Sequence, residues 1–231
     1  MIDGKRVLGV VPARGGSKGL PGKNVLTVRS RPLLDWTVKA AQASQYIDRT
    51  VLSSDDDDII AVARACGCDV PFRRPAALAS DTAGSVDVVL HALEQVPGYD
   101  VVVLLQPTSP LRSSSDIDAA CERLASTGAP ACVSVTAVEM VPYWMYFINA
   151  QSALEPVVEL PTAVARRQDL PPVYTLNGAV YVAHVDWLRR TGSFVTRETV
   201  AQVMPRERSI DIDTIEDFEA FRTAITEESH E

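Results

Sequence analysis

The sequence predicts an α/β fold, a mostly parallel sheet with helices on both faces. Three observations predict it. Short, wholly apolar runs recur along the chain, the strongest being Val101-Val102-Val103-Leu104-Leu105, as strands buried on both faces require. Between them lie stretches whose apolar residues return every three or four positions, as Val86, Val89, Leu90 and Leu93 do. Several strand runs stop abruptly at proline, glycine or serine, which marks loops. Strand–helix alternation of this kind implies right-handed crossovers, and ligands then lie past the carboxyl ends of the strands.

In chain order, 7–11 reads as a central strand ending in Pro-Ala-Arg-Gly-Gly. A helix follows over 32–45, with Pro32 suited to its first turn and an uneven apolar stripe from Leu33 to Ala41. A short strand over 50–52 leads to a helix over 56–65 that Gly67 stops. A third strand over 69–72 is cut off by Arg73-Arg74-Pro75. The stretch 81–96 holds another helix, and 101–105 is the next strand. The helix over 113–125 takes Ser115 as its cap, with Asp116 and Asp118 in the first turn. Strands over 131–135 and 177–182 follow, and 210–213 leads into a last helix over 215–225. The intervening stretch 138–176 differs in texture, rich in Pro, Tyr and Trp and without a long helix. Its segment 143–148 reads as extended and aromatic, and the whole stretch 138–176 as an excursion that packs against a second subunit.

The chain has 231 residues, enough for one substantial core, so residues 1–231 read as a single domain that includes the excursion. Hydrophobic residues at 46% and charged residues at 23% exclude a largely disordered chain. Basic residues number 22 and acidic residues 30, a formal charge of -8 with no basic tail or stripe. That excludes a non-specific grip on nucleic acid or anionic lipid and leaves room for a local basic pocket. No run approaches the ~20 apolar residues of a membrane span. No secretory segment is visible, so a cytoplasmic location is expected. Cys66, Cys68, Cys121 and Cys132 lack metal-knuckle spacing and read as buried or half-buried thiols.

The chemistry collects in a few places. Residues 13–24 (Ala13-Arg14-Gly15-Gly16-Ser17-Lys18-Gly19-Leu20-Pro21-Gly22-Lys23-Asn24) hold four glycines and the potential phosphate contacts Arg14, Ser17, Lys18 and Lys23 directly after a strand. Glycine lets backbone N–H groups approach an anion, and the cations supply charge. The spacing is neither that of a Walker A loop nor that of the dinucleotide fingerprint. Asp55 to Asp58 follow the second strand. Asp56 or a neighbour can cap the helix there, while four adjacent carboxylates exceed what a cap needs and can also face a cation or a sugar hydroxyl. Arg74 and Ser85 follow the third strand, and Gln106 ends the strongest one with both a donor and an acceptor. In Ser209-Ile210-Asp211-Ile212-Asp213, alternation turns Asp211 and Asp213 to one side, a hard-cation site once phosphates supply further oxygens. Asp213 as a helix cap competes with that reading unless Thr214 takes the cap. No Ser-His-Asp constellation is present. Basic groups for phosphates and paired acids for Mg²⁺ imply nucleotidyl transfer by orientation and charge neutralisation.

At these residues the sequence resembles the acylneuraminate cytidylyltransferases and, more distantly, the octulosonate-activating family. The stretches 13–24, 53–59, 73–85, 104–112, 166–182 and 209–214 carry the resemblance. It implies a Rossmann-like fold of the nucleotidyltransferase type, CTP as substrate, a small acidic sugar as acceptor and a homodimer whose excursion closes the neighbour's site. By position, Arg14, Gly16, Ser17 and Lys23 would meet the triphosphate. Asn24 and Arg74 would address the cytosine or ribose, with Ala13 offering backbone contacts. Ser85 and Gln106 would face the boundary between nucleotide and sugar. Arg167, Gln168, Thr175 and Asn177 would approach the sugar, and Asp211 and Asp213 would hold Mg²⁺. Arg14, Lys23, Gln106 and Asp211 would carry the catalysis. One departure stands out: bacterial sialic acid members often place an arginine just before the Asn-Gly pair, where this chain has Tyr174-Thr175-Leu176. The acceptor can therefore be another nonulosonic acid, or a different acid such as an octulosonate or a phosphonate.

Overall fold

In the computed structural model, which describes residues 1–159, 166 and 170–227, a central sheet carries helices on both faces. The chain runs through β1 (Val7–Pro12), a small hairpin of β2 (Thr27–Val28) and β3 (Arg31–Pro32), α1 (Leu33–Ala43), β4 (Arg49–Ser53) and α2 (Asp57–Ala65). It continues through α3 (Ser85–Gln95), β5 (Val101–Leu104), α4 (Ser114–Thr127) and β6 (Ala131–Ala137). A second hairpin, β7 (Tyr146–Ile148) and β8 (Leu154–Pro156), precedes β9 (Tyr174–His184), α5 (Val185–Thr191), β10 (Val200–Val203) and α6 (Ile215–Glu227). The six-stranded sheet has the order β10-β6-β9-β5-β1-β4. β1 pairs in parallel with β4 and β5, and β6 with β10, whereas β9 runs antiparallel to both of its neighbours.

Period-two alternation divides the core between the two faces. Val7, Val11, Val101 and Val103 pack with Leu34, Val38, Ile59, Ile117 and Leu124 under α1, α2 and α4. Leu8, Val10, Val102 and Leu104 pack with Val89, Leu93 and Trp187 under α3 and α5. A third cluster joins Val28 and Leu33 to Ile212, Phe218 and Phe221, seating α6 against the first hairpin and α1. The four cysteines are free, and burial pushes the Cys68, Cys121 and Cys132 thiols up to about 12.

Several local expectations are corrected. Residues 69–72 do not form a strand: Asp69 makes an isolated bridge to Val51, and Pro71 has no N–H to continue it. The cap of α4 is Ser113, not Ser115. Its hydroxyl accepts from Asp116 N while the Asp116 carboxylate accepts from Ser113 N at 2.9 Å, a reciprocal box. Pro32 precedes α1 instead of opening it. Residues 142–144 form a 3-10 turn, and the strand within 143–148 covers only 146–148. The edge strand β10 has no counterpart in the sequence reading.

β6 and β9 part at a bulge, where Val133 faces Tyr181 but Val135 faces Leu176. Asn177 to Val180 fill the gap opposite Ser134, so the chain is locally re-aimed there. Among the described residues no helix is long and apolar enough to cross a membrane.

Candidate active site

One cavity of about 510 Å³ opens at the carboxyl edge of β1 and β5. Residues from four separate segments line it: the loop after β1, the stretch before and into α3, the turn after β5, and the segment before α6.

The first loop is held by close contacts. Gly15 N donates to the Asp55 carboxylate at 3.3 Å, and a Cβ on Gly15 would strike Asp56. A Cβ on Gly19 would strike the Asp213 carbonyl. These approaches require glycine for lack of space. The acid run after β4 is thereby accounted for within the chain. Asp55 holds the loop, Asp56 caps α2 by accepting from Ile59 N at 2.9 Å, and Asp57 pairs with Arg73. Asp58 lies in the first turn of α2 beside them and is exposed.

Lys23 reaches across to the segment before α6. Its Nζ donates to Ile212 O and to Asp213 Oδ1, both at 2.8 Å. Ile212 is buried and its N–H donates to Thr108 O at 2.8 Å, which pins this segment to the turn after β5. Burying Ile212 turns Asp211 and Asp213 to the cavity, as alternation predicts. Asp213 is free of capping duty. Thr214 Oγ1 accepts from Asp217 N at 3.2 Å while Asp217 accepts from Thr214 N at 2.9 Å. Desolvation pushes the Asp211 carboxyl above the usual range; a hydrogen bond from Thr108 opposes it, Asp213 adds to it and Lys23 opposes it.

Arg74 is buried beside the cavity. It donates to Ser53 O and, at 3.1 Å, to Ser53 Oγ, and burial pushes its guanidinium down to about 10. It remains a cation at neutral pH. Asn24 is buried with its amide donating to Arg14 O at 3.3 Å, and Ser85 begins α3 at the cavity wall. An anion there meets a helix N-terminus.

Gln106 lines the cavity with its Oε1 2.9 Å from where a Gly178 Cβ would stand, and that position also lies 3.7 Å from Asp211 Oδ2. Gly178 has φ +73°, a backbone conformation that favours glycine. Behind this floor lies Arg112, 2% exposed, donating to Gln106 O at 3.2 Å, Ala179 O at 2.8 Å and Thr37 Oγ1 at 2.6 Å.

The structure therefore brings Arg14, Ser17, Lys23, Asn24, Arg74, Ser85, Gln106, Asp211 and Asp213 to one cavity. It leaves others away from it. Asn177 is buried outside the cavity lining, its amide engaged by Ser134 at 2.6 Å, Ser209 at 2.9 Å and Ala179 N at 3.2 Å. Thr175 is exposed on β9, outside the cavity lining. Ala13 is buried and its N–H extends the sheet to Ser53 O, and Gly16 has open space around it. Arg167 and Gln168 lie outside the described residues. Sequence reasoning missed Thr108 and Gly178; the turn motif around Gln106 and the Asn-Gly pair were the available signals.

The donor set suits a hard divalent cation only in part. Asp211 and Asp213 offer carboxylate oxygens, and no group of three or more His, Cys, Asp or Glu is gathered for a metal among the described residues. Two carboxylates beside a cationic cavity fit Mg²⁺ when phosphate oxygens complete its shell.

Comparison with known proteins agrees with this geometry. A family described as "Cytidylyltransferase" matches residues 8–220. The CMP-N,N'-diacetyllegionaminic acid synthase of Legionella pneumophila subsp. pneumophila is 36% identical over 215 residues, covering 90% of this chain and 91% of its own length. The N-acylneuraminate cytidylyltransferase of Escherichia coli O18:K1:H7 is 34% identical over 215 residues, or 93% of this chain. The chain spans about half, 51%, of that relative's length. Among solved structures, a CMP:2-keto-3-deoxy-manno-octonic acid synthetase complexed with CTP shares the fold, with a TM-score of 0.75 at 16% identity over 96% of this chain and 99% of that one. With its match running from β1 into α6 and its cavity at the carboxyl edge of the sheet, the chain belongs to the cytidylyltransferase family.

Proposed function

We propose that the chain transfers the cytidylyl group of CTP to the anomeric hydroxyl of a nonulosonic acid, giving a CMP-sugar and pyrophosphate. The observation that carries this reading is the convergence of Lys23, Arg14, Asp211 and Asp213 on one cavity in a chain of this family. The legionaminic and sialic relatives share the acceptor class and support it.

In this reading Arg14, Ser17 and Lys23 grip the triphosphate. Asn24 and Arg74 address the base or ribose, and Ser85 and Gln106 face the junction with the sugar. The acceptor oxygen attacks the α-phosphorus in line, loses its proton, and pyrophosphate leaves from the far side. Lys23 answers the charge that builds on the phosphorus, and Gln106 orients the acceptor. Asp211 and Asp213 would hold Mg²⁺, which supplies charge neutralisation on the phosphates. The functional protein is a homodimer in the cytoplasm, and residues 1–231 act as one domain. The exposed Trp144, Tyr146, Phe147, Ile148 and Leu154 of the second hairpin and its approach supply the apolar surface that a subunit contact needs.

The test is pyrophosphate release from CTP and Mg²⁺ with a panel of nonulosonic acids, an octulosonate and simple phosphonates. Release with a nonulosonic acid is expected, and Asp211→Ala should lower it about 100-fold or more. Release with the octulosonate or a phosphonate alone would transfer the assignment to that acceptor. Undiminished turnover in Asp211→Ala would remove the metal role.

A further inference from the structure

Asp81 lies in the turn between the 3-10 turn at Ala76–Ala79 and α3 and lines the same cavity as Arg14 and Lys18. Its two oxygens are divided between two cations of the first loop. Oδ1 stands 2.8 Å from Arg14 Nη1, and Oδ2 stands 2.6 Å from Lys18 Nζ. The side chains are 32% exposed at Arg14, 45% at Asp81 and 79% at Lys18, so water and other anions compete for each partner. One carboxylate thus holds two cations on the wall of the cavity. Lys23 is likewise paired, its Nζ 2.8 Å from Asp213 Oδ1.

We infer that Asp81 is a stand-in for a phosphate group. It neutralises Arg14 and Lys18 while the cavity holds no polyphosphate, and releases them when one binds. Binding is then an exchange of anions. The cost of parting Asp81 from its cations is subtracted from the affinity of every anion that uses them. A singly phosphorylated or inorganic anion gains little beyond what it displaces. A nucleoside triphosphate brings more charge and further contacts, and prevails. Asp81 thereby sets which anions the cavity accepts. The location of the triphosphate rests on the proposed function; the ion pairs do not.

The test measures binding by calorimetry at fixed ionic strength, with inorganic tripolyphosphate, CTP and cytidine as probes. The proteins are the unaltered chain, Asp81→Asn, and Glu94→Gln, which removes the same charge from an exposed site at the far end of α3. Asp81→Asn should bind tripolyphosphate and CTP about two- to tenfold more tightly, as the loss of two exposed competing pairs predicts. Cytidine should bind it as it binds the unaltered chain, and Glu94→Gln should match the unaltered chain with all three probes. Unchanged or weaker polyphosphate binding by Asp81→Asn overturns the inference, since Asp81 would then shape the loop for binding. Tightened tripolyphosphate with no added affinity for CTP supports Asp81 and removes the nucleotide reading. Tripolyphosphate and CTP each bound equally by Asp81→Asn and the unaltered chain removes Asp81's role and leaves that reading standing. Polyphosphate bound by none of the three overturns both.

Discussion

Lys23 holds its charge on a side chain only 13% exposed, clamped by the Ile212 carbonyl and the Asp213 carboxylate. Substituting it removes one cation from the cavity while leaving the loop's glycine contacts in place. Lys23→Ala should lower kcat about 100- to 1000-fold, with the melting temperature moved by no more than about 4 °C. Steady-state kinetics beside thermal melts check this, and a large loss of melting temperature with little loss of rate would make Lys23 a structural tether. Lys23 and Asp211 were legible in the sequence because charge beside glycine and strict alternation speak for themselves. Asn177 was not. An Asn-Gly pair reads the same whether the amide faces a ligand or the Ser134 hydroxyl, and only the pairing of β6 with β9 decides. The pairing of Asp81 was not legible either, since its partners Arg14 and Lys18 are distant in sequence and no local pattern joins them.

At the scale of elements, the start of α4 is tied to the segment that carries Asp211. Asp116 closes the capping box with Ser113 and also accepts from Arg208 Nε at 3.0 Å and Nη2 at 2.8 Å. Burial alone would raise the Asp116 carboxyl, but the Arg208 and Ser113 contacts outweigh it and hold the group below the usual range. A lowered folded value means stability that is full above the unfolded value, about 3.9, and lost as pH falls through the folded one. Asp116→Asn should therefore cost about 2 kcal/mol at pH 7. The difference should shrink toward zero in acid below the lowered value. Denaturant melts across pH test it, and a penalty independent of pH would show that charge is not the cause. The box itself was half legible. Ser113 and Ser115 are equal as caps in the sequence, each with an aspartate three residues on, until the fold commits Asp118 to Ser44 and Gln45 and leaves Asp116 to box with Ser113. Residues 69–72 read as a strand, yet Pro71 lacks the N–H that a ladder beyond the single bridge needs.

For the whole molecule, the α/β architecture was legible because Val7 to Val11 and Val101 to Leu105 are apolar on both faces, which only a covered sheet explains. The edge strand β10 was hidden, since Val200-Ala201-Gln202-Val203 is short and half exposed. The second hairpin presents Phe147 at 62%, Ile148 at 73% and Leu154 at 65% exposure. Ile148→Glu should convert a dimer into a monomer in sedimentation equilibrium with the fold retained, and a monomeric unaltered chain would refute the subunit contact. The central place of β9 has a further consequence for how the protein is made. Until residues 174–184 leave the ribosome, the nascent chain holds β4, β1 and β5 as one fragment and β6 as an unpaired strand. The last piece to join the middle is thus synthesised after the apolar hairpin, so that sticky surface emerges before the sheet can close.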